Sequence, residues 1–208
     1  MPLADMEIPI NDSVLPDDVV AFLREADLRV SQFVRNSPVR VTGFVPSDFV
    51  TVYHALRAIS EANLAPGTSF CEWGSGFGVV ASLAAILGFK VCGIEIERDL
   101  VDASRRLADD FGLAVEFVHG SFVPSGAEGF ADNSAESSWL VTDADDAYDE
   151  LGLDADDFDV VFAYPWPGEE CLIASLFERY AAEGALLLTH NQFNSVRLQR
   201  KVGKALVA

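Results

Sequence analysis

The 208-residue sequence predicts an α/β domain built on a doubly wound, mostly parallel sheet. Three observations carry that expectation. Short apolar runs alternate with helical stretches from Ser69 onward, a glycine-rich turn follows the first run, and an acid closes the second. The length suits one domain with additions: a helical N-terminal extension over residues 1–66 and a core over 67–208.

The first 14 residues carry no periodic pattern and read as disordered. They are acidic and lack a basic region followed by an apolar run, unlike a secretory signal. From Leu15 to Val34 the spacing predicts a helix, with Pro16, Asp17 and Asp18 in its first turn and Val19, Phe22, Leu23, Ala26 and Val30 on one face. Asn36, Ser37 and Pro38 break it. A second helix is expected over Ser47 to Asn63, with Ser47 as N-cap and Phe49, Val52, Tyr53, Leu56 and Ile59 aligned. His54, beside Arg57 on that helix, reads as a surface residue. Pro66 and Gly67 close the unit.

Beyond it, strands are expected near 69–73, 90–95, 114–119, 158–163 and 185–190, with helices at about 77–88, 98–111 and 168–182. Their near-continuous apolar runs are those of strands buried on both faces. The stretch 124–157 differs: it holds 11 acidic residues and no basic ones, and reads as a surface insertion with a short helix around Asp143 to Leu151. Asp143, Asp145, Asp146 and Asp149 lack the central glycine and terminal glutamate of a calcium-binding EF-hand loop, so no metal site is expected.

The formal charge of −19, from 14 basic and 33 acidic side chains, disfavours phosphate backbones and anionic membranes as partners. A basic tail of Arg197, Arg200, Lys201 and Lys204 is the exception. No apolar window is long enough to span a bilayer. Cys71, Cys92 and Cys171 are widely spaced, with no metal-ligand pattern, and suit reduced thiols in a cytoplasmic protein.

The chemistry concentrates at Cys71-Glu72-Trp73-Gly74-Ser75-Gly76-Phe77-Gly78. Glycines serve where a chain turns sharply and a ligand approaches the backbone, and the helix that follows aims its free N–H groups over the turn. The next strand, Val91 to Glu95, ends in an acid 21 positions after Gly74, where a carboxylate can accept ribose hydroxyls.

In these residues the chain resembles the class I S-adenosylmethionine-dependent methyltransferases, a Rossmann-like family with a first motif of the form (D/E)xGxGxG and an acid ending its second strand. The resemblance spans roughly 69–190. It implies that Glu72 and the turn Gly74, Ser75, Gly76, Phe77, Gly78 lie against the methionine part of the cofactor. Glu95 would hold the ribose and Ile96 the adenine face. Ser121 stands where many members place an acid for the adenine amine, with the backbone of Phe122 as a substitute. The fourth strand ends at Tyr164-Pro165-Trp166-Pro167, whereas members that methylate the amino nitrogens of adenine or glutamine carry Asp or Asn in place of Tyr164. That pattern is not matched. After the fifth strand the sequence leaves room for one more, in Val196 to Val202, so the family's usual sixth and seventh strands are expected to be shortened or missing.

Several of these residues have plainer readings. Glu72 also reads as a cap on the following helix, Tyr164 and Trp166 as loop packing, and His190, at the end of the fifth strand, as a core or capping residue. If the acceptor is an amine, Tyr164, His190 and His119 are the nearby groups able to handle its proton. The short segment Gly43-Phe44-Val45-Pro46-Ser47 is similar to one that precedes the core in small lysine methyltransferases, and points to a protein lysine or a small-molecule amine as acceptor. A nicotinamide dehydrogenase is the competing enzyme, but Val79 occupies the third glycine position of its GxGxxG turn. A non-catalytic scaffold with a methyltransferase-like fold is the other alternative.

Overall fold

The computed structural model describes residues 2–11, 13–36, 45–127 and 147–203. Gly43, Phe44, Asp143, Asp145, Asp146 and Lys204, singled out above, lie outside them, as does most of the acidic stretch 124–157.

Seven strands form one sheet: β1 (Leu3–Met6), β2 (Ser69–Trp73), β3 (Lys90–Glu95), β4 (Val115–His119), β5 (Val160–Ala163), β6 (Leu186–His190) and β7 (Val196–Lys201). Their order is β1-β7-β6-β5-β2-β3-β4. The pairs from β6 to β4 are parallel, and β7 runs antiparallel to both β6 and β1. The helices are α1 (Asp17–Asn36), α2 (Phe49–Glu61), α3 (Val79–Ile86), α4 (Arg98–Asp110), α5 (Ala147–Leu151) and α6 (Glu170–Tyr180).

Alternation along each strand divides the core between the two faces. Phe70, Phe162, Leu186 and Leu188 pack with Val52, Leu56 and Ile59 of α2 and Val80 and Ala84 of α3. The intervening Cys71, Trp73, Val161 and Leu187 pack with Ile173, Leu176 and Phe177 of α6. Both faces are therefore covered, which is why β5 is buried at all four positions. The apolar face predicted for α1 is also buried, with Val19, Phe22 and Ala26 against Leu83 of α3 and Leu107 of α4.

Three features depart from expectation. First, part of the start that reads as disordered forms β1. Its pairing with β7 covers what would be an open sheet edge, and Asp5 takes Arg197 in a two-pronged contact of 2.8 and 3.0 Å. Second, the N-cap of α2 is Asp48 and not Ser47. Its carboxylate accepts from the Thr51 backbone N–H and hydroxyl, and an ionised acceptor suits the positive end of a helix. Third, His54 is buried. Helix α2 packs on α3 and reaches β7, while the chain before α1 crosses it, tied down by Arg57 donating to the Ser13 hydroxyl and the Asn11 carbonyl.

Among the described residues no helix is long and apolar enough to cross a membrane.

Candidate functional site

From β2 the chain winds outward to β3 and β4, then returns to β5 and β6 on the other side. The crevice at the carboxyl ends of β2 and its two neighbours is where such sheets hold ligands. A cavity of about 350 Å³ opens there.

Its floor is the turn after β2. Gly74, Gly76 and Gly78 all have positive φ, at 71°, 54° and 69°. A Cβ on Gly74 would meet nothing within 4 Å, so the turn presents bare backbone to open space. Gly78 serves a different end. It is the N-cap of α3, and a Cβ there would lie 2.4 Å from the Phe117 ring, so its small size lets helix and sheet approach.

Two glutamates hold the turn. Glu95 accepts from the Gly76 N–H at 2.7 Å through one carboxylate oxygen and from the Glu97 N–H at 2.8 Å through the other. Glu72 accepts from the Ala81 N–H at 2.8 Å, inside the first turn of α3, so the capping role is realised while the residue also lines the cavity. Burial pushes both carboxyls above their ordinary range, Glu72 strongly. The hydrogen bonds from Ala81 to Glu72 and from Glu97 and Gly76 to Glu95 pull the other way.

Among the remaining expected residues, Ser75, Phe77, Ile96, Phe122 and Tyr164 line the cavity. The buried Ser75 hydroxyl has no hydrogen-bond partner among the described residues. Phe122 stacks on Trp73, with centroids 5.3 Å apart and planes 7° from parallel. Gly78, Ser121 and His190 do not line it. The Ser121 hydroxyl accepts from the Val123 N–H in its own loop. His190 is 1% exposed, and its ring packs edge-on to Tyr164 at 4.8 Å, behind the cavity wall. Neither of its nitrogens has a hydrogen-bond partner among the described residues. His119 also stays outside, with Nδ1 3.5 Å from a guanidinium nitrogen of Arg98.

Sequence reasoning missed Trp73, Glu97 and Glu169 as lining residues. Trp73 and Glu97 flank recognised motif positions, and Glu169 follows β5 on the rim where sites gather in this topology, so position was the available signal. With these added, four glutamates line the cavity (Glu72, Glu95, Glu97 and Glu169), and among the described residues no Lys, Arg or His does. To the extent that these carboxyls are ionised, a ligand carrying positive charge is favoured there and a pyrophosphate is repelled.

No family model and no curated protein matches the chain. Solved structures do. A methyltransferase from Geobacter sulfurreducens superposes with a TM-score of 0.53 at 17% identity, covering 91% of this chain and 92% of that one. An O-methyltransferase from Bacillus cereus, solved in complex with SAH, gives 0.53 at 14% identity over 86% of this chain and 68% of its own. An RNA methyltransferase from Salinibacter ruber, in complex with S-adenosyl-L-homocysteine, gives 0.51 at 19% identity over 79% of this chain and all of its own. The chain has the Rossmann-like fold of the class I methyltransferases.

Proposed function

We propose that the protein is an S-adenosylmethionine-dependent methyltransferase whose acceptor is an amine, on a protein lysine or a small molecule. The observation that carries this reading is the make-up of the cavity: an open glycine turn and four glutamates, with no basic side chain among the described residues. A nicotinamide cofactor would set its pyrophosphate among those carboxylates. S-adenosylmethionine brings a sulfonium and an ammonium beside a single carboxylate, and when bound supplies an electrophilic methyl group.

The residues divide the task. Glu95 lines the cavity and, beyond its two backbone bonds, retains lone pairs for ribose hydroxyls. Gly74 and Ser75 carry the methionine part, and Ile96 with the stacked Phe122 and Trp73 forms the apolar wall for the base. Tyr164 borders both cofactor and acceptor, and His190 acts through it by packing on its ring. Tyr164 is the group proposed to handle the acceptor's proton.

Titration of the purified chain with S-adenosylmethionine, S-adenosylhomocysteine and NADH, following heat and thermal melting together, tests the reading. Micromolar binding of the first two and none of NADH is expected. Absence of binding by either sulfur compound overturns it in favour of a scaffold.

A further inference from the structure

The loop after β5 shapes a second cavity of about 190 Å³ beside the first. The two share Val45, Tyr164, Pro165 and Trp166, and the smaller one adds Pro167, Glu170 and Gln192. Its volume is below the roughly 300–1,000 Å³ of pockets that enclose whole drug-sized ligands, so it suits a group the size of one side chain.

Two aromatic residues and a carboxylate line it, and among the described residues no Lys, Arg or His does. Aromatic faces and a carboxylate both favour a cation over a neutral group of equal size. The carboxylate has a fixed place, because Glu170 accepts from the Gly168 N–H at 2.9 Å at the head of α6.

The rim is apolar. Val45, in the cavity wall, is 50% exposed, and Phe193, next to Gln192, is 81% exposed. Phe193 stands on an ordered turn between β6 and β7. The Asn191 side-chain oxygen accepts from the Phe193 and Ser195 backbone N–H groups at 2.9 and 3.2 Å, and its amide donates to the Ser195 hydroxyl at 2.6 Å. Val45 and Phe193 thus offer exposed apolar contacts to a polypeptide whose side chain enters the cavity.

Taking the larger cavity as the cofactor site, we propose that the smaller one is the acceptor subsite and binds one protonated alkylamine, the side chain of a lysine. The chain that carries it lies across Phe193 and Val45. The formal charge of −19 draws such a basic segment and repels a nucleic acid.

The test is calorimetry on the full chain saturated with S-adenosylhomocysteine. The probes are Nα-acetyl-lysine methylamide, its norleucine counterpart, and a lysine-centred peptide with apolar flanks. The lysine probe is expected to bind about tenfold more tightly than the norleucine probe. Glu170→Gln, which keeps an oxygen for the Gly168 N–H, removes that preference while S-adenosylhomocysteine affinity stays as in the parent. Phe193→Ser weakens the peptide and leaves the single-residue probe alone. Equal binding of the lysine and norleucine probes, or a preference untouched by Glu170→Gln, overturns the subsite. Equal affinity for peptide and single-residue probe overturns the polypeptide and leaves a free amine as occupant. If the parent chain fails to bind S-adenosylhomocysteine, the cofactor reading itself has failed, a result distinct from all of these.

Discussion

The Glu95 carboxylate accepts a hydrogen bond from the Gly76 backbone N–H across 2.7 Å. The acid that ends β3 thus holds the turn that follows β2, and one side chain both shapes the cavity floor and remains available to a ligand. Removing it should be felt twice. Glu95→Ala leaves the Gly76 and Glu97 N–H groups without their acceptor, and a buried donor so orphaned costs about 1–3 kcal/mol. We expect a lower melting temperature together with loss of S-adenosylmethionine binding by calorimetry on protein shown to be folded. Unchanged affinity would remove Glu95 from the site.

The glycines of the turn separate by what surrounds them. Alanine at Gly74 meets open space and bears only the strain of its left-handed backbone, roughly 1–2 kcal/mol. Alanine at Gly78 bears the same strain and drives a methyl into Phe117 and Ser104, at 2.4 and 2.7 Å, adding about 1–3 kcal/mol of overpacking. Urea unfolding of the two variants should rank Gly78→Ala clearly below Gly74→Ala. The reverse order would mean that the turn relaxes and the helix does not.

These contacts show why some of the site was legible and some was not. Glu72, Gly74, Gly76 and Glu95 stand at fixed short spacings around two strands, so local pattern reveals them. The central strands are legible for the same reason, since burial on both faces writes an apolar run. β1 is not, because Leu3-Ala4-Asp5-Met6 has no strand pattern of its own and pairs with residues near position 200. Topology brings His190 to the rim, but the ring of Tyr164 in front of it decides its burial. Gly78 looks like its two neighbours in sequence and differs only through Phe117, about forty positions away in a parallel strand. The second cavity draws on the segment before α2, the loop after β5 and the β6–β7 turn, a combination no spacing announces.

Burial holds the His190 imidazole below its ordinary value of 6.5, with Asp48 pulling modestly upward. The fold therefore favours the neutral ring. The unfolded chain takes up a proton first as pH falls, so the stability that His190 lends is complete above 6.5 and is lost on descending toward the depressed value. Thermal melts from about pH 8 to pH 5 should show the parent losing stability relative to His190→Leu, which has no proton to bind. Parallel curves would mean that His190 titrates alike in both states.

Glu72 has the opposite sign. Burial, reinforced by the charge of Glu95, places its carboxyl well above the ordinary 4.5, although the Ala81 N–H draws it down. Between 4.5 and the raised value the folded chain keeps a proton that the unfolded chain has released. The contribution to stability is thus present below 4.5 and lost as pH rises through the folded value. Glu72→Gln keeps an oxygen for the Ala81 N–H and does not titrate, so its advantage over the parent should widen as pH rises. The same ionisation sharpens discrimination between ligands, because a sulfonium meets a more negative cavity at higher pH and a thioether is indifferent to it. Calorimetry at rising pH should show S-adenosylmethionine gaining on S-adenosylhomocysteine in the parent chain as Glu72 ionises, with less gain in Glu72→Gln. A ratio independent of pH in both would place the sulfonium away from Glu72, and would shift the methionine part toward Glu169 and the wall formed by the β5 loop.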